Sequence, residues 1–175
     1  MKKSLFLLSV LIFTFSACKL DDGSVSFPEP EVDENITVVT NLDNDLILKL
    51  INDKRTVGCT CGTTVMPPVP ALTWNNLLAS AAAAHSKDMN ANKFFDHVSP
   101  VTGKGTAFRV TATGYKWKLL AENLASGQID EIAVVNAWAA SESHCKNFMT
   151  ANLKDMGAAK DGIYWTQVFG TKIAQ

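Results

Sequence analysis

Met156-Gly157-Ala158-Ala159-Lys160 and Ile163-Tyr164-Trp165-Thr166-Gln167-Val168-Phe169 alternate with a period of two on either side of Asp161-Gly162. Alternation of that kind reads as two half-buried strands, and Asp-Gly is a dipeptide that accepts the positive φ of a two-residue type I′ turn. The chain therefore predicts a closing antiparallel hairpin. Upstream the period changes to helical. Ile132, Val135, Trp138 and Ala139 recur at three and four residues from Asp130 to about Ser141. Further back, Thr73 stands as an N-cap before Trp74-Asn75-Asn76-Leu77-Leu78-Ala79-Ser80-Ala81-Ala82-Ala83-Ala84-His85, which continues to about Asn92. Its alanines allow another element to approach closely. Leu42, Leu46 and Leu50, with Ile47 and Ile51 beside them, predict a first amphipathic helix from Leu42 to Arg55. Helices first and a hairpin last make an α+β domain in which helices cover a short antiparallel sheet.

The connections are less regular. Gly58-Cys59-Thr60-Cys61-Gly62 followed by Pro67, Pro68 and Pro70 reads as a loop. Gly103 to Gly114 reads as a long polar excursion, suited to walling a groove that Tyr115 and Trp117 are placed to line.

The N-terminus bears on the compartment. Lys2 and Lys3 precede an apolar run, Leu5 to Phe15, which is too short for a membrane-spanning helix and has the form of a secretory signal. Phe15-Ser16-Ala17-Cys18 resembles a bacterial lipobox, which implies cleavage after Ala17 and lipid on Cys18. An ordinary cleaved signal with an incidental cysteine is the alternative. The expected organisation is a signal peptide over 1–17, a flexible acidic and proline-bearing tether over 18–41, and one folded domain over 42–175. Its place would be outside the cytoplasm in the cell envelope, on an outer membrane or cell surface, with the membrane as partner through Cys18.

Loss of Lys2 and Lys3 removes two of the 16 basic residues and none of the 17 acidic ones, leaving a net charge of −3. So even a mixture argues against nucleic acid as a partner, because phosphate binding needs clustered Lys and Arg. There is no CxxC pair and no glycine-rich phosphate loop. What chemistry the chain has lies in Phe95-Asp96-His97, Ala121-Glu122-Asn123-Leu124 and Ser141-Glu142-Ser143-His144-Cys145.

Those segments carry a resemblance. Ile51-Asn52-Asp53-Lys54-Arg55, Leu72-Thr73-Trp74, His85-Ser86-Lys87-Asp88-Met89, Phe95-Asp96-His97, Ala121-Glu122-Asn123-Leu124-Ala125, Ser141 to Asn147 and Tyr164 to Phe169 follow the order of motifs in CAP domains. This superfamily contains cysteine-rich secretory proteins, insect antigen 5 and plant pathogenesis-related 1 proteins, and the chain resembles its bacterial extracellular branch. The resemblance spans roughly Leu42 to Lys172. It implies a three-layer α-β-α sandwich with a concave cleft, where the family gathers two histidines and two glutamates.

Carried across, His97 matches the first histidine, and Glu122 with Asn123 matches a Glu-Asn pair. Tyr164 stands where other members have a histidine before Tyr-Thr-Gln, ahead of Gln167. Ser141 occupies the second glutamate position, with Glu142 one residue later. The branch's Ser-x-x-His segment makes His144 the replacement imidazole, read here as lying just past a helix end. His97, Glu122 and His144 are thus the expected ligand-binding or catalytic set, with Asn123, Glu142, Tyr164 and Gln167 secondary. Two imidazoles and a carboxylate suit zinc or another divalent cation, and the glutamate alternatively poises a histidine as a base. His85 is read as structural, and Trp138 and Trp165 as core anchors.

The resemblance also implies a Cys61–Cys145 disulfide, with Cys59 as the alternative to Cys61. The functional expectation is a cleft that binds a lipid, peptide or envelope ligand, with or without a metal. Its alternatives are a metal- or Glu/His-dependent peptidase-like hydrolase, and a loop-mediated interaction module in which the site is vestigial.

Overall fold

The computed structural model describes Asp33 and residues 36–174, which fall in one compact unit, Val32–Gln175. The expected signal peptide, the lipidation position Cys18 and most of the expected tether lie outside the described residues. The last tether residues are bonded to the body. Lys160 N–H donates to the Thr40 carbonyl, Asn41 Nδ2 donates to the Lys160 carbonyl, and the Ile36 side chain packs on the core.

Helix α1 runs Asn44–Val57, with Asp43 as N-cap accepting from Leu46 N–H. Its buried face is Ile47, Ile51 and Arg55, so the predicted leucine face is rotated toward the isoleucines and ends on a cation. Arg55 is fully buried and donates to the carbonyls of Pro70, Phe148, Thr150 and Leu153. One guanidinium thereby ties α1 to two distant loops.

The segment expected to be an irregular loop is a small hairpin, β1 (Cys59–Cys61) and β2 (Thr64–Met66). A glycine and a threonine at the tip suffice to reverse the chain. Thr73 belongs to a two-residue strand β3 (Thr73–Trp74) rather than capping a helix. The cap of α2 (Asn76–Asn92) is Asn75, whose side chain accepts from Leu77 and Leu78 N–H.

The predicted polar excursion contains helix α3 (Thr106–Ala112), and strand β4 (Trp117–Ser126) follows it. Helix α4 is Glu131–Ala140 and α5 is Glu142–Phe148, so His144 lies inside a helix rather than past the end of one. The closing hairpin is β5 (Asp155–Asp161) and β6 (Tyr164–Lys172). Asp161 pairs with Tyr164, so the turn residues are Gly162-Ile163, one position later than predicted, and Gly162 carries the positive φ.

The main sheet has the order β3-β5-β6-β4, with β3 parallel to β5 and the remaining pairs antiparallel. Alternation along β5 and β6 sends side chains to two cores. On one face Met156, Ala158, Trp165 and Phe169 meet Ile47, Ile51, Val134, Val135, Trp138 and Phe148 of α1, α4 and α5. On the other, Ala159 and Val168 meet Leu77, Leu78, Ala81 and Ala82 of α2 and Val110 of α3. The result is a three-layer α-β-α sandwich. Trp138 and Trp165 are each 1% exposed, as core anchors should be, and each indole N–H is spent on a carbonyl. Gly157 sets the depth of α2, because a Cβ there would lie 2.1 Å from the Ala79 nitrogen.

Candidate functional site

β4 is the edge strand of the sheet, and its residue parity creates the site. Glu122 pairs in register with Val168 and Asn123 with Gln167, so the two side chains leave opposite faces of the sheet. Glu122 points to the α2/α3 side, where it meets His97 and Arg109. Asn123 points to the side of α5, where it meets Gln167 and Asn147.

His97 sits in the loop between α2 and α3, and that loop is held at several points. The Asp96 side chain accepts from Val98 N–H, and Ser99 and Lys104 are bonded through the backbone. Below it, His85 Nε2–H donates to the Asp96 carbonyl at 2.8 Å. His85 is fully buried, and burial lowers its pKa, with the Arg109 charge adding to the effect. It is a neutral post under the His97 loop, which gives its structural role a specific object.

His97 Nδ1 lies 2.7 Å from Glu122 Oε1 and Arg109 Nη2 lies 2.8 Å from Glu122 Oε2. Arg109 also donates to the carbonyls of His97 and Lys104 and to the Thr106 hydroxyl, so one guanidinium joins α3, the His97 loop and β4. Burial by itself would raise the Glu122 carboxyl, but the bond from His97 and the charge and bond of Arg109 outweigh it and hold the pKa below the ordinary value. The bond to Glu122 in turn raises His97, against partial burial and the Arg109 charge. A half-exposed imidazole is thus kept in its cationic form to higher pH than usual.

His144 reaches the same neighbourhood from α5. Its backbone carbonyl accepts from Asn123 Nδ2 at 3.1 Å, and its pKa is lowered by burial and by the charge on His97. No hydrogen bond joins its ring to Glu122 among the described residues. Asn123 and Gln167 are fully buried, bonded to each other, and with Asn147 fasten α5 to β4 and β6. They shape the floor without facing the groove. Glu142 is exposed at the start of α5 and pairs with Lys146. Tyr164 lies at the end of the closing hairpin and stacks on Phe95 at 6.3 Å between ring centroids.

The zinc expectation meets a specific obstacle. Both Glu122 oxygens are engaged, one by His97 Nδ1 and one by Arg109, so the carboxylate orients the imidazole, as carboxylates do behind metal-bound histidines, rather than standing free as a ligand itself. Among the described residues the ligand atoms of His97, Glu122 and His144 do not gather into a metal-sized group. What the arrangement does provide is a charged pair at the mouth of a groove of about 530 Å³ lined by His97, Thr106, Ala107, Trp117, Lys118, Leu119, Leu120, Ala121 and Glu122. Trp117 lines it. Tyr115 does not, being buried against Gly170 with its hydroxyl donating to Asp155.

Arg109 had no signal in the sequence, since a single cation in a segment read as irregular resembles any surface residue. The structure also joins Cys61 to Cys145, with Cys59 left as a free thiol.

Residues 48–169 match the profile of the family described as CAP, the cysteine-rich secretory protein family. The chain is 33% identical over 119 residues to the protein YkwD of Bacillus subtilis, and 29% identical over 122 residues to the membrane protein YlbC of the same organism. These alignments take in 67% and 70% of this chain but only 46% and 35% of the relatives, so it spans less than half the length of the curated relatives it matches. Among solved structures it superposes on an extracellular protein containing an SCP domain from Bacillus anthracis, with a TM-score of 0.67, 28% identity, and coverage of 82% of this chain and 45% of that one. An outer surface protein of Borrelia burgdorferi shares the fold, with a TM-score of 0.61 and 22% identity over 74% of this chain and 92% of its own. Among the described residues no helix is long and apolar enough to cross a membrane.

Proposed function

The chain belongs to the cysteine-rich secretory protein family, CAP, and from that premise we propose that it is an extracytoplasmic, lipid-anchored domain whose groove beside His97 binds an amphiphile with an anionic group. The carrying observation is the composition of the groove. Ala107, Trp117, Leu119, Leu120 and Ala121 offer apolar surface, while His97, whose cationic form Glu122 favours, and Lys118 stand among them. Apolar lining with a few convergent polar groups is the usual make-up of a small-molecule site. An anionic head on His97 would leave the Glu122–Arg109 pair intact.

Water activation fits this geometry less well. A carboxylate held by two donors, with its pKa lowered, accepts a proton reluctantly, and His97 Nδ1 is already spent on Glu122. Binding is therefore the reading favoured over hydrolysis.

Placement outside the cytoplasm rests on the Lys2 to Cys18 segment and on the extracellular and outer-surface descriptions of the Bacillus anthracis and Borrelia burgdorferi proteins. In this reading residues 1–17 are removed, Cys18 carries lipid, and residues up to 41 connect it to the domain over 42–175. The test is a fluorescence titration through Trp117. Decanoate should bind saturably, decanol should bind about tenfold more weakly, as one charge-assisted hydrogen bond predicts, and His97→Ala should remove the difference. Equal affinity for acid and alcohol in the unaltered protein would contradict the anionic-head assignment. Absence of either binding would turn attention to a loop-mediated partner.

A further inference from the structure

Three sulfurs meet where α5 packs on the β1–β2 hairpin. Cys59 and Cys61 are two residues apart on β1, so their side chains share one face, and that face is turned to Cys145 of α5. Cys61 and Cys145 are bonded and fully buried. Cys59 keeps a free thiol and is only partly buried. Its sulfur lies 3.6 Å from the Cys145 sulfur, and all three lie within 4.8 Å of one another.

We propose that Cys59, Cys61 and Cys145 form a thiol–disulfide exchange site, in which Cys59 gives an external thiol access to a disulfide that is otherwise sealed in the core. In the first step the Cys59 thiolate attacks Cys145 Sγ. The Cys59–Cys145 bond forms and the Cys61–Cys145 bond breaks. The electron pair leaves on the Cys61 sulfur, which takes up the proton that Cys59 released. No oxidant or reductant is consumed, because one disulfide and one thiol are present before and after.

In the second step the thiolate of an external thiol attacks Cys59 Sγ, the partly exposed end of the new disulfide. A mixed disulfide forms on Cys59, and Cys145 departs as a thiolate and is protonated. The substrate class is a small or peptide-borne thiol that reaches the hairpin surface. α5 carries His144 and Asn147 to β4, so freeing Cys145 loosens a strut of the groove.

Burial raises the Cys59 thiol above its ordinary value, with Lys54 pulling the other way, so the reaction is best followed at pH 8.5. The oxidised full chain is incubated without denaturant, alone or with reduced glutathione, then quenched in acid urea containing N-ethylmaleimide and mapped by tandem mass spectrometry. Alone, it should carry label on Cys61 as well as Cys59. With glutathione the adduct should appear on Cys59, with label on Cys61 and Cys145. Cys59→Ser should lose its disulfide to glutathione at least tenfold more slowly, with an unchanged urea midpoint. Cys61→Ser should form a Cys59–Cys145 bond. Label confined to Cys59 among these three cysteines at all times, a glutathione adduct on Cys61 or Cys145 in place of Cys59, or equal reduction rates in Cys59→Ser would overturn the proposal.

Discussion

His97 Nδ1 and Glu122 Oε1 stand 2.7 Å apart, the imidazole 54% exposed and the carboxylate 3% exposed. A partly solvated titrating group is therefore tied to a buried anion. Because the folded His97 pKa lies above its ordinary value of 6.5, the stability it contributes is complete below that value and lost as pH rises through the folded pKa. Because the folded Glu122 pKa lies below 4.5, its contribution is present above that value and lost as pH falls through the folded one. Urea midpoints should be highest between these limits. Glu122→Gln should flatten the profile on both sides and return the His97 titration, followed by proton NMR, toward or below its ordinary value. A His97 titration unmoved by that substitution would place the source of its shift elsewhere.

Arg109→Leu should release Glu122 to the effect of burial. Its carboxyl titration, read by carbon NMR, should move upward, and the domain should lose about 2 to 3 kcal/mol, the scale of charged hydrogen bonds removed from a buried carboxylate. Lysine at this position should restore only part of the loss, since its ammonium lacks the planar fork that reaches Glu122, Thr106 and two carbonyls together.

Arg55 is a buried cation that bonds to four carbonyls. Burial lowers its pKa to about 10, so it remains charged at neutrality. Arg55→Leu leaves those carbonyls without donors and should cost about 3 kcal/mol or more. Equilibrium urea unfolding would measure it, and a loss under about 1 kcal/mol would mean that water replaces the guanidinium readily.

Gly157→Ala should be among the most damaging single methyl additions. The new Cβ would press on the backbone of α2, which cannot rotate away as a side chain can, and overpacking of this kind costs about 1 to 3 kcal/mol or more. Thermal unfolding should show the drop, whereas Gly103→Ala, which meets nothing within 4 Å, is limited to the strain of its positive φ.

The elements legible from sequence were those with one buried face and a long enough run to show a period: α1, α2, α4 and the closing hairpin. β4 was missed because Leu119, Leu120, Ala121, Leu124 and Ala125 are covered to differing degrees on both faces, which erases alternation. α3 and α5 span seven residues each, two turns, too few for a helical repeat to emerge. The site was legible only in part. His97 and Glu122 came from matched motifs, and the pairing of Cys61 with Cys145 from the same resemblance. Arg109 owes its role to the packing of α3 against the His97 loop, a long-range fact that local pattern does not carry. The helix that carries His144 was not foreseen, because Ser141 ends one helix and starts the next.

The central claim is that the groove along Trp117 to Glu122 receives an anionic amphiphile on His97. It is tested most directly by titrating isotopically labelled protein with decanoate and mapping the chemical-shift changes. Saturable shifts concentrated at His97, Thr106, Ala107 and residues 117–122, with the His97 titration moving further upward on binding, are the predicted result. Saturable shifts elsewhere on the molecule, or a His97 titration that ignores bound decanoate, would contradict it.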